Sequence, residues 1–128
     1  MKTSLAFLLV ILISPMTYAD WGDLYSCQMT TFSQTTLEGK RTNHKLEKFQ
    51  FKLDKTKKAM VFVKSAYFKS GYFSNAVMEL REEMNWPSQE AWFAKDKFGL
   101  SYFEGGKFLY SMTGDQDITS ITADCDKF

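Results

Sequence analysis

The sequence predicts an all-β fold: a small antiparallel barrel or meander of about eight strands, with a disulfide joining the first and last. Three observations carry this. Short alternating apolar–polar runs recur along the chain, separated by turn residues at the spacing of all-β proteins. Aromatic residues make up 16% of the chain, enough to build the core of a small domain. The only two cysteines, Cys27 and Cys125, stand near the two ends of what reads as an exported domain.

The amino-terminal segment reads as a secretory signal peptide. Lys2 supplies the positive start, Leu5 to Ile13 an apolar run, and Pro15 its break. Thr17-Tyr18-Ala19 ends in the small residue a signal peptidase requires. The run is too short to span a bilayer, and no second apolar segment follows, so no membrane span is expected. Residues 1–19 are the expected signal and residues 20–128 a single β-rich domain, periplasmic or extracellular. A domain of this size buries roughly two-thirds of its unfolded surface and folds alone with a modest margin.

The first strand carries Cys27. In the next, Phe49, Phe51 and Leu53 share one face, with Lys48, Gln50 and Lys52 on the other. Asp54-Lys55-Thr56-Lys57 reads as a turn. It leads into Met60-Val61-Phe62-Val63, apolar on both faces, as in a strand covered on both sides or one that meets a partner. Residues 74–84 fit either state. Ser74 and Trp86-Pro87 could cap and stop a helix, but the alternation and the neighbouring strands favour strand. The clearest local signal is Glu104-Gly105-Gly106-Lys107. Two glycines tolerate the positive φ of a two-residue hairpin, joining Leu100–Phe103 to Phe108–Met112, with Glu104 facing Lys107. Further turns are expected at Glu38-Gly39-Lys40, Ser70-Gly71, Asn85 to Ser88, Asp96 to Gly99 and Gly114-Asp115. Ile118 to Ala123, rich in β-branched residues, reads as the last strand, with Cys125 just beyond it. If the first and last strands are neighbours, a Cys27–Cys125 bridge staples the closure.

Charge is divided unevenly. Residues 20–70 carry ten Lys/Arg and five Asp/Glu, and residues 71–128 carry five and ten. Basic strands pairing with acidic ones across a sheet account for this split. A basic face for a polyanion, built from Lys40, Arg41, Lys45, Lys48, Lys52, Lys55, Lys57 and Lys58, is the sharper alternative. The near-neutral whole gives little long-range pull on a phosphate backbone, so no nucleic-acid partner is expected.

Catalytic signatures are sparse. His44 is the only histidine, and no nucleophile elbow accompanies it. With both cysteines oxidised, a zinc site lacks its usual ligands. The pairs Glu82-Glu83, Asp115/Asp117 and Asp124/Asp126 read as solvated turn and edge charges, which also guard strand edges. Asp124 and Asp126 fall where the last strand of an outer-membrane barrel needs apolar residues, which argues against that class. The chain is therefore not expected to be an enzyme, and neither cofactor nor metal is expected.

Tyr25-Ser26-Cys27 on a first strand, with Cys125 near the carboxyl terminus, resembles the C-type lysozyme inhibitors of bacterial periplasms. Those are small eight-stranded barrels with a Tyr-x-Cys start and an inhibitory loop carrying Ser-Gly and an aromatic. Lys69-Ser70-Gly71-Tyr72-Phe73 is similar in part, although the aromatic spacing after the glycine departs from the family pattern. The resemblance implies a non-enzymatic inhibitor.

Two functions follow as expectations. The first is a protein-interaction or inhibitor-like module, with Lys69, Ser70, Tyr72, Phe73 and Trp86 as loop contacts, because aromatic loop residues anchor interfaces efficiently. The alternative is a carrier of a small apolar ligand, its barrel interior lined by Phe49, Phe51 and Trp92.

Overall fold

Residues 19–69, 77–80 and 91–128 are described by a computed structural model of the chain. Nine strands and one short helix follow in order. They are β1 (Leu24–Thr36), β2 (Arg41–Asn43), β3 (Lys48–Asp54), β4 (Ala59–Val63), α1 (Ala66–Lys69), β5 (Val77–Leu80), β6 (Trp92–Lys95), β7 (Gly99–Glu104), β8 (Lys107–Thr113) and β9 (Asp117–Lys127). Every pairing is antiparallel. The order β1-β3-β4-β5-β6-β7-β8-β9 closes on itself through β1–β9, giving an eight-stranded barrel. Strand β2 is an added short partner of β1.

Closure rests on the two longest strands. β1 pairs with β9 from Tyr25↔Lys127 to Thr36↔Asp117, with Cys27 directly opposite Cys125. Their Cα atoms are 4.0 Å apart and the sulfurs are bonded. Cys125 lies within β9 rather than beyond the last strand, because the ladder with β1 continues to Lys127. The ladder outruns the run of β-branched residues: strand length is set here by the partner, not by local propensity.

A bulge divides β1. Thr30 and Thr31 both oppose Thr122, and both hydroxyls hydrogen-bond to its Oγ1, at 2.7 and 2.6 Å. One extra residue reverses which parity faces inward. Tyr25, Cys27 and Met29 point into the barrel before the bulge, and Phe32 packs against the core after it. On the opposite edge, β2 and β3 continue one ladder along β1, interrupted at residues 44–47. His44 N donates to Phe32 O (2.8 Å) and Met29 N to Glu47 O (3.0 Å), which carries the register across the gap.

The interior is built of rings. Phe49, Phe51 and Leu53 of β3 are buried as the alternation predicts, with Met60 and Phe62 beside them. On β4 the outward Val61 and Val63 are only partly covered, so this strand is not enclosed on both faces. The helix α1 was not legible in the sequence. Lys64, at φ 54°, turns the chain out of β4, and α1 then drops Phe68 into the barrel mouth. Phe68 is fully buried and stacks on Phe62 at 4.3 Å, with Phe49 at 5.0 Å and Tyr110 at 5.6 Å. Trp21 and Ala19 pack against the core at the other mouth.

The expected hairpin forms: Gly105 and Gly106 adopt φ 56° and 78°, and Glu104 faces Lys107. Gly106 O also accepts from Cys125 N (2.8 Å), tying the turn to the disulfide strand. Of residues 74–84, Val77–Leu80 is strand, and the remainder lies outside the described residues.

Basic and acidic strands do not pair as the charge split suggested. Lys48 and Lys52 face Gln28 and Leu24 on β1, and Lys52 faces Val61 on β4. The acidic outer residues Asp124 and Asp126 face Gln28 and Ser26. Uncharged β1 thus separates the two signs.

Two outcomes test this architecture. The bridge closes a sequence separation of 98 residues, worth about 4–5 kcal/mol in the chain-entropy account. Reduction is therefore expected to lower the unfolding midpoint by roughly 15–30 °C, read by circular dichroism. Phe68→Ala is expected to cost about 3–5 kcal/mol in denaturant unfolding, the range of a core aromatic and not of a surface turn.

Candidate functional site

The barrel has two unlike ends. At one, β1 begins, β3, β7 and β9 end, and Trp21 covers the mouth. At the other, β1 ends, α1 enters, and the turns at residues 37–40, 96–98 and 114–116 meet. The candidate site is this second end.

Its floor is polar. Tyr67 of α1 sits edge-on to Phe32 (5.0 Å) and to Tyr110 of β8 (5.9 Å). Burial pushes the Tyr67 phenol above its ordinary value. Hydrogen bonding with Tyr110 and Thr119 opposes the rise in part, and Asp96 and Asp117 add to it. Burial likewise drives Tyr110 far up, reinforced by Tyr67 and Asp96. Both phenols are neutral at ordinary pH and act as hydrogen-bonding groups, not bases. Tyr110 fits because β7 begins with glycine: a Cβ on Gly99 would lie 2.9 Å from the Tyr110 hydroxyl and 2.8 Å from Ser111 O. Asp96 Oδ1 accepts from Phe98 N (2.8 Å) and Gly99 N (2.7 Å), which shapes the β6–β7 turn.

At the rim, exposed His44 bonds through Nε2 to Gln34 Oε1 at 3.1 Å. Gln34 Nε2 donates in turn to Asp117 Oδ2. Since Gln34 accepts from the ring, Nε2 of His44 carries the proton. The His44 ring also rests on Phe32 at 4.8 Å. This chain organises the β1–β2 edge. Among the described residues no group of three or more His, Cys, Asp or Glu could hold a metal ion, and no helix is long and apolar enough to cross a membrane.

Beside this rim lies a groove of about 340 Å³ between the β1–β2 and β8–β9 turns, lined by residues including Leu37, Thr113, Gln116 and Ile118. Leu37 N donates to Gln116 O (2.8 Å), bracing the two turns. Gly114 packs closely on Asp117 there, since a Cβ would meet Asp117 Oδ1 at 2.6 Å and displace that side chain. Leu37 is 83% exposed and Ile118 53%, with Phe98 and Leu100 exposed on the neighbouring turn and strand.

The residues chosen from sequence are distributed differently. Phe49 and Phe51 are interior, but each meets other rings: Phe49 meets Phe62, Phe68 and Phe108, and Phe51 meets Tyr25, Phe62 and Phe103. Trp92 is not among the rings that either of them meets. It stands at the far mouth, edge-on to Trp21 at 5.1 Å. Lys69 closes α1. Ser70, Tyr72, Phe73 and Trp86 lie outside the described residues. Leu37, Ile118, Tyr67 and Tyr110 were not singled out from sequence. The one available signal was an apolar Leu37 beside the expected Glu38-Gly39-Lys40 turn.

No protein-family model, no curated protein and no solved structure matches the chain.

Tyr67 and Tyr110 make a pH prediction. A phenol raised in the folded state contributes its full stability below the unfolded value of 10.0 and loses it as pH climbs above that value. The unfolding midpoint is expected to be insensitive to these groups below pH 10.0 and to fall above it. Tyr110→Phe should flatten that fall. Free titration of all phenols in folded protein, followed by phenolate absorbance, would count against buried, neutral rings.

Proposed function

We propose that the protein is an exported, non-enzymatic binding module that engages a protein partner through the α1 end of its barrel. The carrying observation is the grouping of Leu37, Phe98, Leu100 and Ile118 around or beside the groove. Large apolar side chains exposed together, and rimmed by polar groups, are characteristic of protein-contact surfaces. Leu37 sits on a braced turn and Leu100 and Ile118 on strands, so little ordering entropy opposes docking.

The carrier reading has less support. The interior volume that an apolar cargo needs is taken up by Phe49, Phe51, Phe62, Phe68, Phe103 and Phe108, with ring centroids about 4.3–6.3 Å from their neighbours. The inhibitor-like reading keeps the Tyr25-Ser26-Cys27 and Cys125 elements and the closed barrel as its support.

Export through residues 1–19 agrees with the disulfide, which persists in oxidising compartments. Cleavage after Ala19 leaves Asp20 as the first residue. Its nitrogen stands 2.8 Å from Asp23 Oδ2, so the new ammonium gains a carboxylate partner.

The test uses oxidised protein, exported through its own leader and immobilised, against the fraction of its own compartment. A partner held by the native protein is expected to bind about thirtyfold more weakly to Leu37→Ser/Ile118→Ser. Lys55→Gln, at the far end of the barrel, should leave binding unchanged. Equal capture by the double variant would remove the α1 end from consideration.

A further inference from the structure

The outer wall of β3 and β4 carries lysines that no ion pair balances among the described residues. Lys45, Lys48, Lys52 and Lys64 are exposed, and none forms an ion pair among the described residues. Lys48 and Lys52 are four residues apart on one face, about 13 Å along the strand. Their cross-strand neighbours are Gln28, Leu24 and Val61, all uncharged. The carboxylates of this wall are Glu47 and Asp54, both partly buried, and Asp54 Oδ1 accepts from Lys57 N. By contrast, three lysines of the other strands face carboxylates. Lys107 pairs with Asp124 at 2.5 Å, Lys127 with Asp23 at 3.1 Å, and Lys95 faces Glu79 across the β5–β6 ladder. The wall thus concentrates cations without an ion pair among the described residues, in a chain with a formal net charge of only +1.

Three features of the wall narrow the ligand. Exposed aliphatic residues stand among the cations: Leu46 (46%) between Lys45 and Lys48, and Val63 (36%) next to Lys64. The aromatic residues of these strands, Phe49, Phe51 and Phe62, are buried in the core, so the wall offers no ring for a nucleic-acid base to stack on. The wall is also the convex outer face of a barrel and suits a broad surface better than a linear chain. Lysines with neighbouring aliphatic side chains are the chemistry of peripheral binding to anionic bilayers, where ammonium groups meet headgroup phosphates and apolar side chains enter the interface.

We infer that the β3–β4 wall docks the barrel on an anionic lipid surface. The contact is peripheral and electrostatic at first, and Leu46 and Val63 deepen it. It is separate from the groove at Leu37 and Ile118 and does not depend on the partner proposed there.

The experiment is flotation of the purified, oxidised protein with vesicles of phosphatidylcholine alone or mixed with phosphatidylglycerol. Binding is expected only to the mixed vesicles and is expected to fall as salt rises, because screening weakens exposed charges. Lys48→Gln/Lys52→Gln should weaken it about twenty-five-fold, at about fivefold per cation. Lys97→Gln, on the β6–β7 turn across the barrel, should leave it unchanged. Leu46→Ser/Val63→Ser should weaken binding with the lysines intact. Circular dichroism of each variant confirms the fold. Three results overturn the inference: no flotation with the mixed vesicles, equal flotation with phosphatidylcholine alone, or binding unaffected by the lysine pair. Binding that needs the lysines but ignores Leu46 and Val63 also overturns it, and assigns the wall to a soluble polyanion.

Discussion

The pairing of β1 with β9 is the constraint on which the rest of this protein depends. A sheet of this length left open would expose two edges of unpaired backbone groups to other chains. Pairing its first and last barrel strands removes both edges, and the Cys27–Cys125 bond holds that seam. The seam pairs residues nearly a whole domain apart in sequence, so it is also the contact with the largest loop-closure entropy to overcome. Placing the covalent bond there restricts the unfolded chain where the native contact is least local.

Closure produces an interior, and the interior decides where aromatic side chains can go. Phenylalanines alternating on β3, β4, β7 and β8 converge from different walls on one volume. Rings at 5–6 Å in tilted and edge-on geometries pack densely and have few rotamers to lose. The eight strands do not fill the volume alone. The bulge at Thr30 and Thr31 turns Phe32 inward, and α1 supplies Phe68 and Tyr67 from outside the sheet. One mouth is therefore sealed by a helix over a tyrosine pair, the other by Trp21 beside Trp92. The two ends differ in chemistry for that reason.

The outside is likewise divided. Uncharged β1 separates a basic β3 from an acidic β9, so a chain with little net charge carries local fields of opposite sign. Of the exposed apolar residues, Leu37, Phe98, Leu100 and Ile118 lie toward the α1 end, Leu46 and Val63 beside the lysines of the β3–β4 wall, and Leu109 and Phe128 apart from both. A braced groove and a lysine-bearing wall are different kinds of surface.

Much of the fold was legible from local pattern. Alternation placed Phe49, Phe51 and Leu53 on an inner face, because a strand has a side-chain period of two whatever its neighbours. Gly105-Gly106 specified its hairpin, because few residues accept two successive positive φ values. The cysteine positions implied the seam. What the sequence could not contain was the identity of lateral neighbours. Register placed Lys48 opposite Gln28 and not an acid, extended β9 past Cys125, and set the far mouth, not the core centre, as the place of Trp92. The candidate site was the least legible part. Leu37, Gln116 and Ile118 meet only because the end of β1 lies beside the start of β9, and Tyr67 reaches Tyr110 only because α1 folds back over the mouth. Local periodicity is a property of consecutive residues and was determined by the sequence alone. Adjacency between distant strands follows from closing the barrel, and only the tertiary structure decided it.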